Sequence, residues 1–119
     1  VTNWQPGDLM AIKHITVETS NTGHMAMISD LPVLVGEWAG IRAYAVSVID
    51  STSTPHDELD TRELRRDVSG PDKGVGEGTM LIFTDGPDNA VVGHCWSTDP
   101  GSKHYTQAEK SLVVARLVM

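Results

Sequence analysis

Two residues in this chain have the types and setting of acid–base chemistry. His24 follows the turn-forming run Asn21-Thr22-Gly23 and opens the apolar stretch Met25-Ala26-Met27-Ile28. Asp50 follows Val46-Ser47-Val48-Ile49, whose alternation reads as a strand leaving the core. A carboxylate placed there can hold one imidazole nitrogen and leave the other to take a proton from a thiol or hydroxyl. That is two thirds of a nucleophile, base and orienter triad. On spacing alone a surface histidine and a turn aspartate fit as well.

The missing third is a nucleophile. The chain has one cysteine, Cys95, in the run Val92-Gly93-His94-Cys95-Trp96-Ser97. It sits in an expected strand, without the helix N-terminus that would stabilise a thiolate, and alternation turns His94 and Trp96 to the other face. A lone strand cysteine more often serves as a small buried hydrophobe. Cys95 and Ser51 are therefore secondary candidates. His56, Asp57, Glu58 and Asp60 form a dense imidazole and carboxylate cluster. A divalent cation is one reading, but the spacing matches no metal signature, so a solvated polar loop is expected and no metal or other cofactor is assigned. Gly74-Val75-Gly76-Glu77-Gly78 lacks the Lys-Ser or Lys-Thr ending of a phosphate loop, and a turn allowing close backbone approach is expected. Trp4, Trp38 and Trp96 read as core or cleft-wall packing, with a sugar platform the alternative.

The elements that must position these groups are short and separated by Gly, Pro, Asp and Ser clusters, which favours antiparallel β structure. Strands are expected over residues 9–12, 24–29, 43–49, 79–84, 90–97 and 112–117, with a hairpin at Asp85-Gly86-Pro87-Asp88-Asn89. Short helices are candidates over 59–67, where acids precede Arg62, Arg65 and Arg66, and over 106–110. The 59–67 stretch also fits an ordered loop. Residues 51–78 form a polar, glycine-rich excursion too long for an ordinary connection.

Composition bounds the rest. At 119 residues and 39% hydrophobic, residues 1–119 fit a single domain, one that buries roughly two thirds of its unfolded surface. A formal charge of −7 gives no basic footprint for a phosphate backbone, so no nucleic-acid partner is expected. Apolar runs such as Met80-Leu81-Ile82-Phe83 are far short of the ~20 residues that cross a bilayer, and no membrane span is expected. One cysteine excludes an internal disulfide framework and leaves compartment open.

The run Pro6-Gly7-Asp8-Leu9 followed by Gly23-His24-Met25-Ala26-Met27-Ile28 resembles the core of the NlpC-type, papain-like cysteine peptidases. Val48-Ile49-Asp50-Ser51-Thr52, Pro55-His56, Asp60-Thr61-Arg62, Gly74 to Thr79 and Val92 to Ser97 extend the resemblance, to a poorly characterised bacterial branch, over nearly the whole chain. It implies a mainly β member of an α+β superfamily: a curved antiparallel sheet or half-barrel with one or two short helices. It implies His24 as base, Asp50 as orienter, and a cleft loop where Arg62 pairs Asp60 or a substrate carboxylate. It also implies a peptide substrate, such as a cell-wall peptide, and a secreted or cell-envelope setting. The family nucleophile is a cysteine at the start of a helix before the Pro-Gly-Asp strand. Here residues 1–5 are Val, Thr, Asn, Trp and Gln. Either an upstream segment absent from this chain carries the thiol, or the domain is a non-catalytic binding, assembly or structural module that could self-associate.

Overall fold

The computed structural model describes residues 1–15, 23–52, 54–64 and 74–118. Among these residues eight strands and one helical turn follow in order: β1 Leu9–His14, β2 Gly23–Ile28, β3 Val33–Trp38, β4 Ile41–Thr52, α1 Thr61–Leu64, β5 Gly74–Asp85, β6 Ala90–Cys95, β7 His104–Thr106 and β8 Lys110–Ala115. All pair antiparallel in one sheet of order β7-β6-β5-β4-β2-β1-β8, with β3 on β4 beside the main path. The sheet curls until β8 comes back against β6 and β7. The fold is thus mainly β, a nearly closed barrel.

Alternation decides what lies inside. Val114, Met10, Ala26, Asp50 and Gly76 form one cross-strand row through β8, β1, β2, β4 and β5. Ile28, Val48 and Gly78 form the next, and Tyr44, Ile82, His94 and Tyr105 another. Met10, Ile12, Ile28, Val46, Val48, Met80, Ile82 and Leu112 fill the core almost without solvent contact. The outward positions of the same strands are only partly covered: Met25, Met27, Ile49 and Val113 are exposed.

The barrel is closed by polar contacts at its seams. Asp8, 3% exposed, accepts Arg116 Nε at 2.8 Å and Nη2 at 3.0 Å, and takes the Gln5 amide at 2.9 Å. The Pro-Gly-Asp turn, with Gly7 at a φ of 94°, thereby ties the entry to β1 to the exit of β8. The hairpin expected at 85–89 joins β5 and β6, and Arg42 Nη1 fastens it by donating to Gly86 O and Asn89 Oδ1.

Several expectations change. Residues 106–110 are not helical but a turn between β7 and β8. Thr106 accepts the Glu109 amide there, and the Gln107 amide side chain brackets the backbone of Leu112. Of the 59–67 candidate only Thr61–Leu64 is helical, and 65–67 lie outside the described residues. The stretch Gly74–Gly78 is no turn but the start of β5, paired with Val48 to Thr52 of β4. Its glycines do admit a close approach. A side chain at Gly76 would strike Arg62 at Cγ and Nε, and one at Gly78 would strike Asp60 and the Cβ of His56. The 54–64 segment lies directly on this bare strand. Trp38 is not core but 55% exposed, edge-on to Phe83 on the outer face, whereas Trp4 and Trp96 pack on the core.

Gly78→Ala is expected to cost about 1–3 kcal/mol through overpacking, read from the urea midpoint. A change under about 0.5 kcal/mol, the range of an innocuous surface substitution, would contradict the close seat.

Candidate functional site

Asp50 stands inside the barrel rather than emerging from it: it is 6% exposed, and β4 continues to Thr52. Its cross-strand neighbours Ala26 and Gly76 are small, which leaves room for larger groups to reach its carboxylate. His24, two residues before Ala26 on the same face of β2, reaches Asp50 Oδ2 with Nε2 at 2.6 Å. His56 Nε2 reaches the same oxygen at 2.6 Å. Arg62 Nη2 donates to the other oxygen, Oδ1, at 2.9 Å. Burial by itself would push Asp50 up, but hydrogen bonds from His24, His56 and Arg62 outweigh it and hold the carboxyl well below the usual range. An ionised carboxylate only accepts, so both imidazoles donate from Nε2. His24 then keeps Nδ1 as its remaining nitrogen.

The segment after β4 supplies the support. Asp60 caps α1, accepting the Arg62 amide at Oδ1 (2.8 Å), while its Oδ2 accepts the His56 amide (2.9 Å). Arg62, fully buried, uses every guanidinium N–H: Nε to Asp60 Oδ1, Nη1 to the carbonyls of Asp50 and Gly74, and Nη2 to Asp50 Oδ1 and Asp60 Oδ2. Burial would lower its pKa, but the two carboxylates raise it. Burial would likewise raise Asp60, and Arg62 with the backbone amides brings it down. His56 Nδ1 lies 2.8 Å from the Trp96 carbonyl. Both partners of His56 are acceptors, so each ring nitrogen faces an oxygen. Arg62 is thus shared by two buried carboxylates, with His56 also on Asp50, the close pairing that burying such charges requires. Trp96 lies against both rings, 4.0 Å from His56 and 5.0 Å from His24 between centroids, with its Nε1 on the carbonyls of Thr54 and Pro55.

The residues singled out in the sequence therefore divide. His24, Asp50, His56, Asp60 and Arg62 form one network. The cluster around His56 and Asp60 is not a solvated loop, and Arg62 is spent on two buried carboxylates rather than facing a substrate. Among the described residues no group of three or more His, Cys, Asp and Glu side chains is arranged to hold a metal ion. Cys95 is absent from the network. Its side chain lies on the opposite face of β6 from His94, 6% exposed, and burial pushes its thiol pKa up. Ser51, exposed on the opposite face of β4 from Asp50, lines an open groove with Met25 and Val113 on the outer side of the sheet. Sequence reasoning missed His94, which faces the interior near His24. Alternation had already set His94 on one face with Trp96, but nothing in the sequence joined it to His24.

A mainly β barrel with a buried, hydrogen-bonded His–Asp–His–Arg network and a half-buried imidazole at its open side is the class that fold and site define. The chain is similar to an uncharacterized protein of Acanthamoeba polyphaga mimivirus, 32% identical over 124 residues that take in 95% of this chain and 53% of the relative. It thus spans about half the length of the curated relative it matches. No family model matches it, and no solved structure does.

Arg62→Met, which strands two buried carboxylates, is expected to cost about 3–5 kcal/mol at pH 7. Both carboxyls are depressed in the folded state, so their contribution is present above the unfolded value near ~4 and fades as pH falls through the folded values. The gap between wild-type and variant urea midpoints should narrow below about pH 4, and a gap constant from pH 7 to 3 would contradict the network. Cys95 should resist a thiol reagent in the folded protein and react after unfolding, so rapid native labelling would overturn its burial.

Proposed function

We propose that this domain carries the base and orienter of a papain-like, NlpC-type cysteine hydrolase acting on peptide amide bonds, with its thiol supplied from outside these 119 residues. The observation that carries the reading is the 2.6 Å bond from His24 Nε2 to Asp50 Oδ2, with the His24 side chain 16% exposed and Nδ1 left over. Asp50 fixes the tautomer, and the network behind it fixes Asp50. A thiol at Nδ1 gives up its proton to His24 as sulfur bonds to the substrate carbonyl carbon. The imidazolium then returns that proton to the departing amine as the C–N bond breaks. Water, deprotonated by the same ring, cleaves the thioester and restores the thiol.

A second reading, a non-catalytic binding or assembly module, draws on the outer face. Met27 pairs with Leu9 and Ile49, and Ala11 with Met25 and Val113, so Met25, Met27, Ile49 and Val113 expose an apolar stripe across β4, β2, β1 and β8.

The two readings separate in the protein expressed from its full reading frame and treated with iodoacetamide at pH 6. The hydrolase reading expects one thiol alkylated at least ~10-fold faster than the others, since an imidazole partner lowers its pKa, and that advantage lost in His24→Ala. Uniformly slow alkylation, or a fast thiol indifferent to His24, would sink it.

A further inference from the structure

His24 also borders a cavity of about 260 Å³ whose walls include His14, His94, Tyr105 and Lys110. Its lining differs from the rest of the molecule. In a chain with 16 acidic and 9 basic residues, no Asp or Glu is among the described residues that form it. The acidic groups nearby are occupied elsewhere: Asp50 is consumed by its three partners, and Glu109 Oε1 accepts the amide and hydroxyl of Thr106.

Two walls are prepared for a ligand. Lys110 Nζ stands 3.9 Å above the centre of the Tyr105 ring, which fixes a flexible ammonium in place by cation–π attraction. Tyr105 in turn pairs across the strands with His94, their rings 5.8 Å apart. His94 is 2% exposed, and its Nδ1 is buried without a hydrogen-bond partner among the described residues. A buried polar atom without a partner is a net cost to folding, so this imidazole is underused by the protein itself. Burial, reinforced by the charges of Lys110, His104 and His14, pushes its pKa down to about 4. At neutral pH it is an uncharged ring in a positive field, offering one N–H without adding charge.

We propose that this cavity binds a carboxylate of the substrate, with Lys110 supplying the charge and His94 a hydrogen bond. The word substrate rests on the hydrolase reading, whereas the anion site does not. Pockets for drug-sized ligands run about 300–1,000 Å³, so this slightly smaller space suits a single amino-acid residue bearing its acid group. Because His24 forms part of the same wall, that residue would adjoin the scissile amide. The specificity implied is for peptides with a free carboxylate beside the cleaved bond, rather than for uniformly neutral chains.

The test is NMR titration of the isotope-labelled protein with three probes: N-acetyl-Ala-Ala with a free carboxylate, the same peptide as its C-terminal amide, and inorganic phosphate. The free acid should produce saturable shifts at His94 and Lys110 and bind at least ~10-fold more tightly than the amide, the scale of one charge-assisted contact in a partly closed site. Lys110→Met should abolish that preference while Lys110→Arg retains it, with circular dichroism verifying the fold of each. His94→Gln should keep more of the affinity than His94→Leu. Acid and amide binding alike, no saturable shift at either residue, or a preference untouched by Lys110→Met would overturn the proposal. Phosphate outcompeting the free acid would overturn the carboxylate assignment. The alkylation test reads the thiol independently: carboxylate binding with no fast thiol removes the hydrolase and leaves the anion site, and the reverse pair of results does the opposite.

Discussion

Everything at the polar end of the barrel depends on keeping one carboxylate ionised where water does not reach. A lone Asp50 at that depth would take up a proton, and a neutral carboxyl could no longer orient an imidazole as an acceptor. The chain prevents this by spending all five donors of Arg62 and both nitrogens of His56 on the network around it. The energetic return of such a buried network is modest, because desolvation offsets most of the attraction. What it does secure is geometry: the carboxylate has one position, and so does the ring of His24.

That requirement propagates into the backbone. Arg62 and His56 reach Asp50 only because the 54–64 segment lies flat on β5, and it lies flat only because Gly76 and Gly78 present no side chain to it. Glycine weakens a strand interior, so two of them at alternate positions are a stability cost accepted for the sake of this contact. Asp60 organises the segment by capping α1 and holding His56 and Arg62 together, which makes the loop a support for the site rather than a cover over it.

How far the sequence announced this can be judged residue by residue. The alternating apolar positions of β1, β2, β4, β5 and β8 revealed mainly β structure, since a half-buried strand writes its two faces directly into the chain. Strand β3 passed unnoticed because Val33, Leu34 and Val35 are all exposed and carry no alternation, and β7 is only three residues long. His24 and Asp50 were legible as a pair because each follows or precedes an apolar run. Their support was not, because His56, Asp57, Glu58 and Asp60 look in sequence like a hydrated loop. The hydrogen-bonded pairing that buries His56 and Asp60 exists only once β5 is alongside. A glycine every second residue, opposite an interior aspartate, was the available sign, and it resembled a turn.

The ordering of the strands carries a different consequence. β1, the first strand, is paired along both edges, by β2 and by β8, and the ion pair between Asp8 and Arg116 spans the same seam. While the polypeptide is being synthesised, one edge of β1 therefore stays open until residues 110–116 have left the ribosome. Pairing over such a separation carries a large loop-closure cost and comes late. The nascent chain therefore holds Leu9, Met10, Ala11 and Ile12 with one edge unpaired from the formation of β2 until β8 is made. Its time of greatest exposure to aggregation, and of greatest use for a chaperone, is set by the position of β8.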